Sequence, residues 1–469
     1  MKIKTLSRKN NSVERECSGD LRRESRNLNP NYHPMQRSRE YVRAVTAAKM
    51  DRMFAKPLIG NLGEGHRDAV TVTALSRRSL LPLVSGSADG CLKLWDLATR
   101  SCVATLEGGH SRSITGCVFG VDGERFYSCA EDGLVRQWSI HATPSTAGGG
   151  IGGGDDDDKD GAPDMSYGPL ETWRTPGTFK SLDHHWHDQQ FATASDEAVC
   201  IWSPERSTPL QTHTDLWGSD DTVTVVRYNP AERNLLAHCS ADRGIGLHDT
   251  RTSKALKKTV LRMRSNDLQW NPMEPMNFCV ANEDFNAYTF DMRRLDQPTR
   301  IYKGHTSAVM SVSWSPTGRE FVTGSYDRTM RLFPTKSGFA RDIYHTKRMQ
   351  KIFTVQYTMD HKFVISGSDE SNLRLWKARA SEQLGQRTTR EEAAIQYRDA
   401  LIQKHEHLPE IRRIHKSRKV PKVIKKQTAQ AQIQKESAKR KQTNRIKHSK
   451  PGTYEHENER KKAVVKEID

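Results

Sequence analysis

The middle of the chain is built from short runs in which apolar and polar residues alternate. One stretch, Lys303–Phe333, contains three such runs, at Val309–Trp314, Glu320–Gly324 and Met330–Phe333. A Ser-Pro-Thr-Gly turn and a turn centred on Asp327 separate them. Alternation with a period of two, interrupted by Gly, Pro and Asp turns, predicts a β-meander. Because a single meander cannot bury its own faces, we expect further copies of it.

Seven copies are predicted from the residues that end the third run of each unit. These residues are mostly aromatic and are Trp95, Trp138, Trp202, His248, Phe290, Phe333 and Trp376. The intervals between them are 43, 64, 46, 42, 43 and 43 residues, so one period of about 43 recurs. The long interval contains residues 147–161, a Gly- and Asp-rich segment with nothing to bury. We predict that this segment is a disordered surface insertion.

The two ends of the chain carry helical patterns instead. Residues 37–54 have helical spacing, and we expect one face to dock on a neighbour through Tyr41, Val42, Val45, Ala48 and Met53. Thr389–Glu392 predicts a capping box that opens a second helix. Pro409 suits the first turn of a third helix, with Ile411 and Ile414 as its apolar residues.

Composition and charge narrow the class of protein. The 469 residues contain no apolar run of the ~18 residues that a membrane span needs, and the N-terminus has no hydrophobic signal core. We therefore expect a soluble intracellular protein without a membrane partner. The net charge of +17 is concentrated at the ends: +13 over residues 377–469 and +7 over residues 1–64, against −3 between them. This distribution predicts polyanionic partners bound by the ends.

Signatures of catalysis are missing from the sequence. The eight cysteines are scattered singly without a CxxC pair, so neither a zinc site nor a redox motif is predicted. Gly60–Gly65 precedes a strand and lacks the Lys-Ser/Thr of a phosphate-binding loop. Asp183–His187 holds three histidines, which either bind a metal or form a loop of an atypical third unit, and we favour the loop. We predict no catalytic residue, cofactor, metal or small-molecule substrate.

The C-terminal region is unusually basic, with 16 Lys/Arg and 3 Asp/Glu between Lys404 and Lys450. Lys and Arg at this density suit a phosphate backbone, and the scarcity of aromatic residues argues against base stacking. A helix so polar on all sides is expected to order on a partner. The alternative is a solvated tail or a nuclear-import signal. The candidate residues for binding RNA or an RNA-containing assembly are Arg412, Arg413, His415, Lys416, Arg418, Lys419, Lys422, Lys425, Lys426, Lys439, Arg440 and Lys441.

The recurring Gly-His and Trp-Asp pairs resemble those of the WD-repeat family over residues 54–379. The resemblance implies an all-β, seven-bladed β-propeller, closed by an outer strand near residues 54–59 that pairs with the last repeat. It also implies that a His, a Ser or Thr, the turn Asp and the Trp form a structural hydrogen-bond network in the blades. The residues that match are His66, Asp89, Trp95, His110, Asp132, Trp138, His305, Asp327, Asp369 and Trp376. Blade five lacks the Gly-His pair and blade six has Phe333 for Trp, so we expect both to depend more on packing.

Two further tripeptides resemble the Trp-Asp-x-Arg box by which some WD-repeat proteins dock on the adaptor of a cullin-RING ubiquitin ligase. They are Asp249-Thr250-Arg251 and Asp291-Met292-Arg293, in which the Trp before each Asp is replaced. The candidate docking residues are therefore Asp249, Arg251, Asp291 and Arg293. The alternative is that each Arg merely pairs with a carboxylate of its own blade.

The ends extend the resemblance to WD-repeat proteins with a SOF-type C-terminal domain. The residues that carry it are the run LPEIRRIHKSRKVPKVIKK, residues 441–452, Glu459-Arg460 and the N-terminal NPNYHP, SREYVRA and FAKP segments. This family implies a basic N-terminal extension (1–53), the propeller (54–379) and a helical basic domain (380–469).

The family also implies a function and a place in the cell. Its members are non-enzymatic scaffolds of ribosome biogenesis that act in 18S rRNA processing within the nucleolar small-subunit processome. The implied partners are pre-ribosomal RNA or snoRNA and other processome proteins. Some members are also described as substrate receptors of a cullin-RING ligase, which adds a ligase adaptor as a further partner and the receptor role as the alternative function.

Overall fold

The computed structural model describes the greater part of the chain. The described residues are 29–32, 35–141, 143–144, 165–196, 198–214, 222–252, 255–450, 453–454 and 458–468. The insertion predicted at residues 147–161 lies outside them. No helix in these ranges is long and apolar enough to cross a membrane.

Seven antiparallel sheets form a closed ring, and each sheet is one blade. The strands of blade one are Val70–Leu75, Pro82–Ser87, Leu92–Asp96 and Ser101–Leu106. Those of blade two are Ile114–Phe119, Arg125–Ala130, Leu134–Ser139 and Glu171–Arg174, and a short hairpin of Thr143–Pro144 and Met165–Ser166 precedes the last. Those of blade three are Phe179–His184, Phe191–Ser195, Val199–Trp202 and Gln211–His213. The seven-bladed prediction is confirmed.

The remaining blades follow the same order from the ring centre outward. Blade four contains Val223–Tyr228, Leu235–Ser240, Gly244–Asp249 and Ala255–Leu261. Blade five contains Ser265–Trp270, Asn277–Asn282, Ala287–Asp291 and Arg300–Tyr302. Blade six contains Val309–Trp314, Glu320–Ser325, Met330–Pro334 and Asp342–Tyr344. Blade seven contains Ile352–Tyr357, Phe363–Ser368 and Leu373–Lys377, and Leu58–Asn61 supplies its outer strand.

The inner strands are buried on both faces, because each blade is packed between two neighbours. In Glu320–Ser325 every residue after the first is buried, whereas a half-exposed sheet would bury alternate residues only. Aromatic residues that lie opposite each other on strands two and three stack on one face of the blade. Phe126 stacks on Trp138 and Phe321 on Phe333, with ring centroids 6.2 and 5.6 Å apart. Phe333 therefore replaces Trp by packing, as expected for blade six.

Ring closure joins the two ends of the propeller sequence. Leu58 lies opposite Trp376 and Gly60 opposite Leu375, with a bulge between the two pairs. The predicted closing strand is confirmed, although it is displaced by a few residues toward the C-terminus. Closure gives the outer edge of blade seven a partner strand from the start of the chain.

Blade four has a fifth strand that sequence reasoning missed. Val464–Ile468 pairs antiparallel with the outer strand Ala255–Leu261, so that Lys258 lies opposite Ile468. Lys257 and Glu467 form an ion pair of 3.6 Å across this edge. Val464 also packs against the core between blades four and five. The C-terminal region is thus not helical throughout, because its last strand belongs to the ring.

The chain divides into two compact units. One comprises the residues up to Met53 together with Gly385–His415, and it contains helices α1 (Gln36–Met53), α2 (Thr389–Lys404) and most of α3 (Pro409–Lys416). The other comprises Phe54–Leu384 and the residues from Lys416 onward, including helix α4 (Lys422–Lys447). The predicted domain boundaries at 53/54 and 379/380 stay a prediction.

The helical unit has a small core of its own. Its buried residues are Ala44, Val45, Ala47, Ala48, Leu401, Ile402 and Ile411. The predicted docking face of α1 is wrong in part, since Val42 and Met53 are 60% and 73% exposed. Ala44 and Ala47 take their place beside the predicted Val45 and Ala48, because small side chains allow α1 and α2 to approach closely. Polar contacts also hold α1: Lys404 Nζ of α2 lies 2.7 Å from a Glu40 carboxylate oxygen, and the Tyr41 hydroxyl donates to Glu410 of α3.

The capping box of α2 begins one residue earlier than predicted. Thr388, not Thr389, is the N-cap: its hydroxyl accepts a hydrogen bond from the Glu391 backbone N–H at 3.3 Å. The Glu391 carboxylate accepts the Thr388 N–H in return at 3.2 Å. Both threonines satisfy the sequence motif, but only Thr388 has the extended backbone that an N-cap requires.

Candidate interaction sites

The complete hydrogen-bond network of a blade occurs in blade two. The Trp138 indole N–H donates to Ser128 Oγ at 2.9 Å, and the Ser128 hydroxyl donates to His110 Nε2 at 2.7 Å. The other ring nitrogen of His110 donates to the Asp132 carboxylate at 3.0 Å. The same carboxylate accepts the backbone N–H of Ser111 and of Leu134. One buried chain of bonds therefore links the second and third strands, the turn between them and the loop that enters the blade.

Blade one departs from this pattern. His66 and Trp95 both bind Ser85 Oγ, at 2.6 and 2.7 Å. Asp89 does not join them: its carboxylate accepts the Cys91 backbone N–H at 2.9 Å, and His66 Nδ1 is buried without a partner. The prediction that Asp89 belongs to the network is wrong, because its carboxylate does not bind the His66 ring. Burial is the main cause that lowers the pKa of His66 to about 4.

Blades six and seven retain parts of the network. In blade six His305 bridges Asp327, at 2.9 Å, and Thr323 Oγ1, at 2.7 Å. In blade seven Trp376 donates to Ser366 at 2.8 Å. Asp369 lies in the turn that follows the second strand, where its backbone N–H donates to the Lys351 carbonyl. These residues hold the blades together and are buried or turn-bound, so they belong to the framework of the protein.

The Asp-x-Arg tripeptides form ion pairs within themselves. Arg251 binds Asp249 through two nitrogens at 2.8 and 3.2 Å, and Arg293 binds Asp291 in the same manner at 3.1 and 3.2 Å. Both arginine side chains are about 70% exposed. The hydrogen bond from Arg251 lowers the pKa of Asp249, although burial acts to raise it. Burial also acts to raise the pKa of Asp291, but the bonds from Arg293 outweigh it and the pKa is lowered. The structure thus presents two similar fixed guanidinium groups at the ends of third strands in adjacent blades.

The histidine cluster Asp183–His187 is engaged with backbone groups. The ring nitrogens of His184, His185 and His187 lie 2.8, 2.8 and 3.2 Å from the carbonyl oxygens of His185, Arg233 and Pro230. Arg77 lies 3.5 Å from Asp183 and stacks over the Trp186 ring at 3.9 Å. Within the described ranges, no group of three His, Cys, Asp or Glu residues is arranged to hold a metal ion.

The predicted basic residues are divided between the two compact units. Arg412 and Arg413 are exposed on α3 in the helical unit. His415 of the same helix is half-buried, and its carbonyl accepts a hydrogen bond from the Arg52 guanidinium at 2.6 Å. Lys416 and the residues after it belong to the unit that contains the ring. These residues form one continuous basic run in the sequence, but the structure divides the run between two compact units after His415.

Arg418 differs from the other predicted RNA-binding residues. Its side chain is only 13% exposed and lies 3.3 Å from Asp342 in the outer strand of blade six. It also donates to the Arg341 carbonyl, while His345 binds the carbonyl of the next residue, Lys419, at 3.0 Å. A guanidinium used in this way is not available to a phosphate. Arg418 therefore anchors the basic segment to the ring, which corrects its assignment as an RNA contact.

Helix α4 carries the rest of the charge into solvent. Of its residues only Ile424 is buried, and its nine Lys/Arg are all exposed. They are Lys422, Lys425, Lys426, Lys435, Lys439, Arg440, Lys441, Arg445 and Lys447. None of the nine forms an ion pair with any residue that the structure describes. Lys439, Arg440 and Lys447 line one shallow depression on the helix surface. The site is an extended cationic rod beside a rigid ring.

The closed ring of seven blades and the His–Ser–Trp bonds within them define a WD-repeat β-propeller. Comparison with known families agrees: the WD domain, G-beta repeat, matches residues 58–96, 100–139 and 296–333, and the Sof1-like domain matches residues 378–464. The chain belongs to the Sof1-like family of WD-repeat proteins.

Curated relatives match along the full length. Protein SOF1 of Saccharomyces cerevisiae is 40% identical, with 99% of this chain and 94% of that protein covered. DDB1- and CUL4-associated factor 13 is 42% identical in Homo sapiens, with 99% of both chains covered, and 41% identical in Danio rerio, with all of both chains covered. Among solved structures, the WD40 propeller domain of Doa1 aligns with a TM-score of 0.54 at 19% identity, over 68% of this chain and 96% of that one. The last likeness concerns the fold alone.

Proposed function

We propose that this protein is a non-enzymatic scaffold of ribosome biogenesis that acts in 18S rRNA processing within the nucleolar small-subunit processome. The observation that carries the proposal is α4, a helix with nine exposed cations next to a rigid ring. The full-length similarity to Protein SOF1 supports the same role. Its partners are then pre-ribosomal RNA or snoRNA and neighbouring processome proteins.

The chemistry of α4 suits a phosphate backbone. A helix of 26 residues is about 39 Å long, and this one has a single acidic residue, Glu436, against nine cations. Each phosphate that a Lys or Arg neutralises releases condensed counterions, which makes binding favourable and dependent on salt. Anchoring by Arg418 fixes where the rod begins on the ring. RNA and proteins are thereby held at one place, and linked binding raises their effective concentration for each other.

The test neutralises the rod without unfolding it. We choose Lys425→Gln, Lys426→Gln, Lys439→Gln, Arg440→Gln and Lys441→Gln together, because Gln is also a good helix former. Arg418 and Ile424 stay in place, which a deletion of residues 404–450 does not allow. A matched control changes five neutral α4 residues to Ala: Gln427, Gln430, Gln432, Gln434 and Gln442.

The charge variant is expected to lose association with pre-rRNA in cells and to slow 18S rRNA maturation. In vitro, the slope of log K against log salt concentration should fall by about 4, at roughly 0.7–0.9 per lost phosphate contact. The Ala control should behave as the wild type. Normal pre-rRNA association and a normal salt slope in the charge variant contradict the proposal.

The paired arginines favour a second function, docking on the adaptor of a cullin-RING ligase. Two relatives are called DDB1- and CUL4-associated factor 13, and Arg251 and Arg293 are exposed in similar ion pairs. The variant Arg251→Glu/Arg293→Glu should lose pull-down of the adaptor and keep rRNA maturation. Arg294→Glu is the matched control, because Arg294 pairs with Asp296 at 2.9 Å and is equally exposed. Adaptor binding that survives the double variant argues against this function.

A further inference from the structure

One turn of the blades carries a large side chain, where glycine is expected, in three adjacent copies. In blades one and two the residue after the turn Asp is Gly90 or Gly133, with φ of 84° and 73°. In blades four, five and six the equivalent residues are Arg243, Phe285 and Arg328, with φ of 72°, 72° and 64°. Glycine adopts this left-handed conformation freely, whereas a side chain crowds its own backbone there. Ser371, in the same turn of blade seven, has a φ of 64° as well, so four blades in a row keep a sterically disfavoured residue, and in blades four to six that residue has a large side chain.

Packing does not explain why these residues are present. All three side chains are exposed, and the Phe285 ring is 47% accessible to solvent. The turns lie on one face of the ring, because each joins the second strand of a blade to the third. Backbone strain that gains nothing in the core is characteristic of binding sites, where the displayed side chain has a use.

The surface continues from blade four to blade five. An Arg243 side-chain nitrogen donates to the carbonyl of Arg262 at 3.4 Å. Arg262, Met263 and Arg264 form the loop that enters blade five, and all three are exposed. The Glu283 backbone N–H donates to the Arg264 carbonyl, which places this loop beside the turn that displays Phe285.

Aromatic residues continue the surface into blades six and seven. Tyr326, in the turn that displays Arg328, contacts the Phe353 ring edge-on with centroids 5.7 Å apart. The Lys351 ammonium lies 5.3 Å from the centre of the Tyr326 ring. We name this surface the arginine-aromatic face and define it by Arg243, Arg262, Arg264, Phe285, Tyr326, Arg328 and Lys351.

The net charge of the arginine-aromatic face is positive. None of its five cations forms an ion pair with any residue in the described ranges. Three acidic residues of these turns are already bound: Asp242 to Lys258, Asp284 to the Tyr288 hydroxyl and Asp327 to His305. Glu283 and Asp369 also act on the Tyr326 ring, which leaves five cations against two carboxylates and a net positive charge. The same side of blades one to three differs, because there Arg67 pairs with Glu107 at 2.8 Å, and Lys180 lies within 4 Å of both Glu131 and Asp196.

We propose that the arginine-aromatic face binds single-stranded RNA, with bases stacked on Phe285 and Tyr326 and phosphates on the surrounding Arg and Lys. The proposal rests on the proposed function. It assigns base stacking to the ring, because α4 has no aromatic residue on which a base could stack. Single strands are bound where exposed rings accept unpaired bases and cations follow the backbone. Double-stranded RNA buries its base faces and has no use for the rings. An acidic protein segment would use the cations but not the exposed phenyl ring.

The test measures binding of the full-length protein to a fluorescent single-stranded oligouridine and to an RNA hairpin of equal length. The first variant is Phe285→Asn, because Asn tolerates the left-handed conformation and the fold is retained. Phe339→Asn is its control, at a ring that is 75% exposed and outside the arginine-aromatic face. The second variant is Arg243→Gln/Arg328→Gln, with Arg67→Gln in blade one as the control for a single lost cation.

We expect Phe285→Asn to weaken oligouridine binding about tenfold, as loss of one stacked base does, with little effect on the hairpin. The double Arg variant should lower the salt slope for the single strand by about 1.4, since each contact contributes about 0.7. The controls should bind as the wild type. Unchanged oligouridine affinity in both variants overturns the proposal. So does equal loss of hairpin and single strand in Phe285→Asn, or competition by polyglutamate as effective as that by RNA.

The two proposals fail separately. If the α4 charge variant associates normally with pre-rRNA, the proposed function fails, while oligouridine binding still decides the role of the arginine-aromatic face. If Phe285→Asn and the double Arg variant bind oligouridine normally but the α4 variant loses pre-rRNA, the face is excluded and the scaffold function stands.

Discussion

Replacing Asp132 by Ala should destabilise the ring far more than the same change at Asp89, although the two residues occupy equivalent repeat positions. The Asp132 carboxylate is 5% exposed and accepts three hydrogen bonds, at 3.0 Å from His110, 3.2 Å from Ser111 and 3.0 Å from Leu134. A bond to a charged group contributes about 1.5–3 kcal/mol and a neutral one about 1 kcal/mol. Water can replace the bond to the exposed Ser111 N–H, so the expected loss is about 3 kcal/mol.

At Asp89 the expected loss is under about 1 kcal/mol, because its exposed carboxylate accepts the Cys91 backbone N–H and a weak bond from the Cys91 thiol, and water can replace both. For a ring of about 330 residues, the entropy of unfolding is about 0.7 kcal/mol/K, so Tm should fall by about 4 °C in Asp132→Ala and by less than about 1.5 °C in Asp89→Ala.

Differential scanning calorimetry of the full-length protein measures both shifts. Asp132→Asn should lie between the wild type and Asp132→Ala, because its amide oxygen retains part of the acceptor capacity. Equal shifts in the two Ala variants would refute the reasoning, since they would mean that the repeat position and not the contact geometry sets the energy.

Three other outcomes follow from the contacts. His66 has a folded pKa of about 4 against 6.5 in the unfolded chain, so the unfolded state takes up the proton first as pH falls. The free energy of unfolding should therefore decrease by about 3 kcal/mol between pH 6.5 and 4. In His66→Asn, urea titration over the same pH range should show a smaller decrease. Thr388→Ala should destabilise α2 by about 1 kcal/mol and Thr389→Ala by much less, as read from hydrogen exchange of the first helical turn. Arg418→Ala should speed hydrogen exchange over residues 416–424 about tenfold, whereas Lys419→Ala should leave it unchanged, and equal rates would contradict the anchoring role.

Local patterns determined the architecture. The period of about 43 residues, the turn residues and the strand-ending aromatics were enough to predict seven repeated β-meanders, and the resemblance of these repeats to the WD-repeat family supplied the ring and its closing strand. The reason is physical: each blade repeats one local solution to burying two faces, so every copy carries the same spacing. Pro409 and the charge of the C-terminal region were equally local, and they predicted α3 and the cationic character of the tail.

The tertiary structure determined which of these residues remain accessible to a binding partner. Arg418 and Lys419 are neighbours of the same charge, but only Arg418 faces Asp342, a residue of a distant blade. The fifth strand of blade four pairs Lys258 with Ile468, a contact that no local period encodes. Arg243, Phe285 and Arg328 became a surface only when the ring placed three turns side by side. Sequence periodicity specifies the repeated unit, whereas contacts between residues far apart in the chain arise only when the ring closes.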